Sequence, residues 1–333
     1  MAPDFLIIGA QKAGTTWLYR NFNKHPEIWM PKEKELHYFD EKMQSRLSLY
    51  ERLRGDSAQA QRWRRQVSRQ FKQYSNNNYT RDGLLWDLNY FLRRPTDRWY
   101  RSLFKQGRGH ITGEATPNYS ILKRETVQRV YEVAPDAKII FMVRNPIERV
   151  WSHALMSASV GGSWRDKSDE YFYEQFDSTN SRIFTDYLGT VRTWNSLYPA
   201  ENIFVGYMED VSLYPDRLLD SLYAFLGATP SSNPGTIRRK IHSRDVDTMP
   251  VSMARRIANL YQQDLRALSD AFGGYASFWL HCAETLIESP PSEETIAYPL
   301  SQSYLWDDWK DSSGHEPALT LQSGTLSSKE VSI

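Results

Sequence analysis

The chain has 333 residues, of which 40% are hydrophobic and 14% aromatic, enough for one large α/β domain or two small ones with a sizeable core. Its 41 Lys and Arg side chains balance 40 Asp and Glu side chains, so a net charge of +1 provides no global field that draws the protein to nucleic acid or anionic lipid. Any anion must therefore bind at a local site.

Compartment and targeting follow from a few features. Cys282 is the only cysteine, so no intrachain disulfide forms, which favours a reducing compartment. Asp4 stands where a signal peptide has a basic residue, and the apolar run after it is short. No stretch approaches the roughly 18 apolar residues of a membrane span. We expect a cytoplasmic protein, or a soluble catalytic fragment of an anchored one, without an integral membrane segment.

The first predicted elements flank a loop that contains glycine. Phe5 to Ile8 is a short apolar run that predicts a buried strand, and Thr16 to Phe22 predicts a helix that ends before His25-Pro26. The loop between them begins at Gly9.

Residues 41–75 predict a helix with a basic face formed by Arg62, Arg65, Arg69 and Lys72. One interpretation is a basic wall for an anionic acceptor. The other, which we favour, is the solvated face of an ordinary amphipathic helix.

Strands and helices alternate further along the chain. Lys138–Val143 and Asn202–Tyr207 predict buried strands, and a helix is expected after Asn145-Pro146. Ala254–Phe272 predicts a helix that Gly273-Gly274 ends, and the composition turns to Ser, Pro, Glu and Thr from Glu288. We expect the last twenty or so residues to be disordered.

This alternation predicts an α/β fold, a P-loop-like domain with a central, mainly parallel sheet flanked by helices. We assign residues 1–285 to this domain, with a helical, aromatic-rich insertion at about 41–105, and residues 286–333 to a C-terminal extension. Ligands of such folds bind at the carboxyl ends of the strands, where the loops at Gly9 and Arg144 both begin.

The loop from Gly9 to Gly14 has the glycine spacing of a phosphate-binding loop, whose backbone N–H groups form an anion cradle. A nucleotide P-loop requires Lys directly after the second glycine, but Thr15 stands there and Lys12 lies inside the loop. Lys12 can then lie over the bridging oxygen of a leaving 5′-phosphate. The alternative is a Gly-Thr turn without a ligand.

Arg144 and Ser152 are candidates for binding a second phosphate. Arg144 follows a predicted strand and Ser152 lies about two helical turns later. The alternative is an arginine paired with a carboxylate and a serine in a helix. Arg239 and Lys240 belong to a later basic stretch, which is interpreted equally well as a ligand-binding loop or as a solvated run of charges.

The segment Lys34–Phe39 supplies candidate bases, because a carboxylate or an imidazole can remove a proton from an attacking hydroxyl or amine. Glu35 and His37 are the two candidates. Glu114, in the segment Gly113–Tyr119, is either a substrate contact or a structural hydrogen-bond acceptor.

Taken together, Gln11–Leu18, the Arg144/Ser152 pair and Lys34–Phe39 resemble the motifs of sulfotransferases that use 3′-phosphoadenosine 5′-phosphosulfate (PAPS). The likeness is closer to the heparan-sulfate and bacterial glycan branch than to the cytosolic phenol branch. It extends from residue 4 to about residue 280 and is poor in the insertion.

The resemblance implies specific roles for these residues. Lys12 would contact the 5′-phosphate and the bridging oxygen, and Arg144 with Ser152 would bind the 3′-phosphate. Glu35 would be the general base, with His37 as its rival. The residues implied to bind the nucleotide are Lys12, Ala13, Gly14, Thr15, Thr16, Trp17, Arg144, Ser152, Arg239 and Lys240, and no metal ion is implied.

The implied reaction is transfer of a sulfuryl group from PAPS to a glycan, a lipid or a small alcohol. Ala115 stands where heparan-type enzymes tend to carry a lysine, which argues against a highly anionic acceptor of that type. The alternatives are a P-loop kinase or ATPase and a nucleotide-binding protein without turnover. No nucleic-acid partner is expected.

Overall fold

The computed structural model describes residues 1–41, 46–74, 80–160, 162–230 and 247–313. Its centre is a five-stranded parallel sheet in the order β2-β3-β1-β4-β5. These strands are β1 (Phe5–Gly9), β2 (Ile28–Trp29), β3 (Ile111–Ala115), β4 (Lys138–Val143) and β5 (Ile203–Tyr207). The expected α/β fold with a mainly parallel sheet is confirmed.

Helices cover both faces of this sheet, so β1 and β5 are buried along their whole length. The helices up to β5 are α1 (Thr15–Phe22), α2 (Leu49–Arg54), α3 (Ala58–Tyr74), α4 (Arg81–Leu92), α5 (Asp97–Leu103), α6 (Arg124–Val133), α7 (Pro146–Ala158), α8 (Asp169–Asp177), α9 (Thr179–Ile183) and α10 (Tyr187–Asn195). Those after β5 are α11 (Met208–Leu213), α12 (Pro215–Leu226), α13 (Val251–Phe272), α14 (Gly274–Glu288) and α15 (Tyr304–Ser313).

The strand order places a crevice between the ends of β1 and β4. The chain leaves β1 toward β2 and β3 on one side, and it leaves β4 toward β5 on the other. Because the two connections diverge, the loops at the carboxyl ends of β1 and β4 open a crevice at this switch point. The glycine loop and Arg144 therefore face the same edge of the sheet, as the sequence predicts.

The single helix expected at residues 41–75 is wrong in its extent. Two helices, α2 and α3, are separated at Gly55, and Ser48 caps α2 with a full capping box to Glu51. The side chains of Arg62, Arg65, Arg69 and Lys72 on α3 are exposed, as the pattern predicts. The helix α13 begins three residues before the expected Ala254 and ends at Gly273, with φ of 61°.

The C-terminal extension folds back onto the sheet domain as far as it is described. Thr248–Pro250 (β6) pairs antiparallel with Thr295–Ala297 (β7). Trp306 of α15 stacks on Tyr275 of α14 with ring centroids 6.0 Å apart. This packing carries the chain between β7 and α15 over the first turns of α7. The last twenty residues, expected to be disordered, lie outside the described residues.

Candidate active site

The loop after β1 forms a tight turn that opens α1. The Ala10 N–H donates to the Met142 carbonyl of β4 at 2.5 Å, and the Leu18 N–H donates to the Gly14 carbonyl as the helix begins. Gly14 is the N-cap with φ of 82°, and a Cβ there would lie 2.8 Å from Met208 Sδ. Glycine is therefore required, and it has no side chain to cap the first turn. Such a helix N-terminus favours an anion.

Backbone conformation marks three of the residues that the sequence selects. Among non-glycine residues of the described ranges, positive φ occurs at Lys12 (74°), Glu35 (69°) and His37 (55°). Non-glycine residues in this region carry backbone strain, which concentrates at functional sites. The strain therefore falls on the three side chains selected as candidate catalytic groups.

The segment with Glu35 is fixed to the end of β3, beside β1. The Glu35 N–H donates to the Ala115 carbonyl at 3.0 Å, and the Tyr38 N–H donates to the Tyr119 hydroxyl at 2.9 Å. Because β3 and β1 are neighbours in the sheet, this anchoring brings the Glu35 segment to the same edge as the glycine loop.

The imidazole of His37 lies between two carboxylates. His37 Nδ1 is 2.5 Å from Asp40 Oδ2, and Nε2 is 3.3 Å from Glu35 Oε2. Lys34 Nζ contacts the other Glu35 oxygen at 2.7 Å. Burial acts to raise the pKa of Glu35, but the hydrogen bond with His37 and the charge of Lys34 outweigh it and lower this pKa to about 2. Glu35 and His37 thus form one connected pair with Asp40 behind them.

Glu114 has a structural role. It is buried and accepts hydrogen bonds from Tyr100 (2.5 Å), Thr116 (2.8 Å) and Tyr119 (3.2 Å). Burial raises its pKa. Of the two interpretations that the sequence left open, the structure supports the hydrogen-bond acceptor, since three donors already surround this carboxyl.

Arg144 lies at the end of β4 and is buried. Its Nε and Nη2 donate to one oxygen of Glu148 at 2.9 and 2.8 Å, and Nη1 donates to the Lys12 carbonyl at 3.2 Å. Nη2 also donates to the Tyr298 hydroxyl at 2.7 Å. The guanidinium therefore ties the glycine loop to α7 and to the C-terminal extension. Pairing with a carboxylate, the alternative left open by the sequence, is present.

Tyr298 joins the two residues selected for the second phosphate. Its hydroxyl contacts Arg144 and also interacts with the Ser152 side chain. The segment that carries it is held by hydrogen bonds from Tyr298 N–H to the Asp247 carbonyl (2.9 Å) and from Leu300 N–H to Glu148 Oε1 (2.8 Å). Arg144, Ser152 and Tyr298 thus place three hydrogen-bonding side chains at one point.

A second buried carboxyl lies behind this cluster. Glu209 accepts from Trp279 Nε1 at 2.6 Å. Burial, with repulsion from Glu148, raises the pKa of Glu209 to about 8. Burial therefore favours the neutral form of this carboxyl behind Arg144.

The structure brings the candidates from three strand ends to one edge of the sheet. Lys12 to Trp17 follow β1, Glu35 and His37 are anchored to β3, and Arg144 with Ser152 follows β4. Arg239 and Lys240 lie outside the described residues. Arg149 is fully buried and donates to the Ser181 carbonyl at 3.0 Å, consistent with a packing role.

Sequence reasoning missed Asp40 and Tyr298. The spacing of Asp40, three residues after His37, is a local signal that a carboxylate could orient the imidazole. Tyr298 is 154 residues from Arg144, and its own neighbourhood in the chain carries no signal of this contact.

No cluster of three or more His, Cys, Asp or Glu side chains in the described residues is placed to hold a metal ion. None of the described helices combines the length and the apolar character that crossing a bilayer demands.

Comparisons with known proteins all find sulfotransferases. A model of the sulfotransferase family matches residues 3–231. A membrane-associated sulfotransferase of Dictyostelium discoideum is 29% identical over 174 residues, which cover 52% of this chain and 26% of that protein. Heparan sulfate glucosamine 3-O-sulfotransferase 6 of Homo sapiens is 29% identical over 158 residues, covering 47% of this chain and 31% of that protein. The chain therefore spans less than a third of the length of these curated relatives.

A solved structure is similar over most of its length. The crystal structure of a sulfotransferase from Alicyclobacillus acidocaldarius has a TM-score of 0.54 and 25% identity, covering 81% of this chain and 95% of that one. Its likeness extends the match beyond the family model.

Proposed function

This chain belongs to the sulfotransferase family, and on that premise we propose that it transfers the sulfuryl group of PAPS to a hydroxyl or an amine of a glycan, a lipid or a small alcohol. The observation that carries the proposal is the meeting of three candidate groups at the ends of β3, β1 and β4. This reaction needs a cradle for the 5′-phosphate, a base for the acceptor and a site for the second phosphate. The glycine loop, the Glu35–His37 pair and Arg144 with Ser152 would supply these three parts.

We assign the 5′-phosphate to the glycine loop. The first N–H groups of α1 point to the position where an anion binds, and Gly14 leaves them without a side-chain cap. Lys12 would neutralise the negative charge that develops on the bridging oxygen as the phosphate leaves, which is the largest expected contribution to catalysis. Its backbone carbonyl accepts from Arg144, which holds the loop against β4.

The reaction breaks the bond between sulfur and the bridging oxygen, whose electron pair stays with the 5′-phosphate, and forms a bond from sulfur to the acceptor atom. The acceptor proton passes to Glu35. A carboxylate whose pKa is about 2 binds a proton weakly, so a second group must share the proton with it. His37 Nε2, at 3.3 Å from Glu35, is placed to share it, with Asp40 orienting the ring.

We assign the 3′-phosphate to Arg144 and Ser152, with the Tyr298 hydroxyl beside them. Four of the five Arg144 N–H groups are engaged with Glu148, the Lys12 carbonyl and the Tyr298 hydroxyl, so the guanidinium is held in place before the nucleotide arrives. Its remaining Nη1 donor would face a phosphate together with the two hydroxyls. Recognition of this phosphate would distinguish PAPS from nucleotides that lack it.

The kinase or ATPase alternative has less support. Thr15 stands where such a loop requires Lys, and the carboxylates near the loop are paired with other side chains rather than arranged for magnesium. The family match also favours sulfuryl transfer.

Calorimetry with 3′-phosphoadenosine 5′-phosphate, the expected product, tests the cofactor, alongside ATP with and without Mg²⁺. We expect metal-independent binding of the bisphosphate, weakened at least tenfold in Lys12→Met, which keeps the chain length and removes the charge. Transfer of radiolabelled sulfate from PAPS to a panel of sugars, lipids and alcohols then tests the activity. Binding of ATP only with Mg²⁺, and none of the bisphosphate, would put the kinase alternative first.

A further inference from the structure

The insertion carries a charge excess that the sulfuryl-transfer site does not use. Residues 41–105 contain fifteen Arg or Lys side chains and six Asp or Glu side chains, whereas the whole chain contains 41 and 40. The near-zero net charge of the protein is therefore the sum of a basic region, which contains α2 to α5, and an acidic excess in the rest of the chain. A local positive field of this size attracts anions whatever the net charge is.

A cavity of about 560 Å³ lies within this basic region. It is lined by four arginines and by apolar side chains, among them Arg46, Arg52, Arg94, Arg129, Leu49 and Leu92. No acidic residue is among the described residues that line it. We refer to it as the arginine cavity. Its other wall includes Tyr38, which follows His37 in the chain.

Arg52 is the unusual member of this lining. Arg52 is only 3% exposed to solvent, yet its Nε has no hydrogen-bond partner. No carboxylate of the described residues forms an ion pair with it. Its observed contacts are Nη1 to the Phe91 carbonyl at 2.8 Å and the guanidinium over the Trp63 ring at 4.9 Å.

A buried cation without a counter-charge is costly, and proteins normally pair it. Capping of the last carbonyls of α4 accounts for one Arg52 donor, and no carboxylate of the described residues compensates its charge. Burial and the neighbouring charge of Arg46 lower the pKa of Arg52 to about 10. An anion in the arginine cavity would remove this cost, because it would supply both the charge and an acceptor.

The mouth of the cavity is apolar as well as basic. Leu49 and Leu92 are 37% and 40% exposed, although both are large hydrophobic side chains. Arg94 is exposed beside them and forms no ion pair with any carboxylate of the described chain. Arg129, by contrast, is paired with Asp97 at 3.2 Å. A ligand that satisfies this surface has a charged head and an apolar part.

We propose that the arginine cavity binds the anionic head of an amphiphile, a phosphate or sulfate monoester with an alkyl chain, with the head against Arg52 and Arg94 and the chain over Leu49 and Leu92. The cavity is larger than an inorganic anion requires, and its apolar lining has no use for one. The site is independent of the activity proposed above, since none of its arginines belongs to the candidate active site.

Calorimetric titration of the full chain with hexyl phosphate tests this site, with inorganic phosphate and hexanol as the separated halves of the ligand. We expect one hexyl phosphate per chain and weaker binding of either half. Arg94→Gln should weaken binding about tenfold, the cost of one charge-assisted hydrogen bond, and Arg52→Gln by at least as much. Arg93→Gln is the matched control, because Arg93 is exposed next to Arg94 but does not line the cavity.

Thermal melts establish that each variant is folded, and Arg94→Gln keeps the test valid if Arg52→Gln does not fold. Lys12→Met reports on binding at the nucleotide loop, so an unchanged affinity there supports a separate site. Equal weakening by Arg93→Gln and Arg94→Gln would overturn the proposal in favour of general charge attraction. Inorganic phosphate binding as tightly as hexyl phosphate would overturn the apolar part. Vesicles containing phosphatidic acid, whose head is a phosphate monoester, that bind the wild type but not Arg94→Gln would identify a lipid headgroup as the source of the ligand.

Discussion

Replacement of Tyr298 by phenylalanine is the sharpest test of how the second phosphate is bound. The change keeps the ring, which lies with its centroid 5.2 Å from Arg144 Cζ, and removes only the hydroxyl that accepts from Arg144 Nη2 at 2.7 Å. Because the hydroxyl accepts this bond, its own proton remains available for a phosphate oxygen. On the proposed assignment, the substitution therefore removes one donor to the 3′-phosphate and leaves the packing of the extension intact.

The expected loss follows from the charge of the partner. A hydrogen bond to a charged group contributes about 1.5–3 kcal/mol, which corresponds to about a 10- to 150-fold change in affinity. The loss should be confined to ligands with a 3′-phosphate. Binding of adenosine 5′-phosphosulfate, which lacks this group, should change by less than about twofold.

Calorimetry with 3′-phosphoadenosine 5′-phosphate and with adenosine 5′-phosphosulfate, on wild type and Tyr298→Phe, measures both effects. Tyr304→Phe is the control, because it makes the same chemical change at an exposed position of the extension. An equal loss for both ligands, or tighter binding of the bisphosphate, would refute the reasoning. Tighter binding would mean that the hydroxyl occupies the position of the phosphate.

Two other predictions concern proton transfer and stability. Glu35→Gln should lower kcat by at least about 100-fold, while the affinity for 3′-phosphoadenosine 5′-phosphate changes less than about twofold. A larger loss of kcat in His37→Gln would instead assign the role of base to the imidazole. The pKa of Glu209 is raised from 4.5 to about 8, so the folded protein binds this proton more tightly and loses stability as the pH rises across that interval. Glu209→Gln can still accept a hydrogen bond from Trp279, so it should raise Tm more at pH 8.5 than at pH 5. An equal rise in Tm at the two pH values, measured by calorimetry, would contradict the raised pKa of Glu209.

Much of this protein is determined by short stretches of its sequence. The apolar runs at Phe5 and Lys138, each followed by a helix, predict parallel strands because only strands buried on both faces are apolar throughout. The spacing of Gly9, Lys12 and Gly14 predicts the anion loop, because its conformation depends on residues within one turn. Such segments predict the sulfotransferase family and the α/β fold, and both predictions are confirmed.

The tertiary structure alone decided the interactions between distant segments. The predicted helix is divided at Gly55 because Arg64 of α3 packs back and donates to the Arg52 and Gly55 carbonyls at the end of α2 (3.0 and 2.8 Å). Three hydroxyl groups that surround Glu114 gave it a structural role, which its sequence neighbours left open. Tyr298 reaches Arg144 because β7 pairs with β6 and carries the extension over α7. Such contacts depend on how whole elements pack, and no local pattern of residue types encodes them.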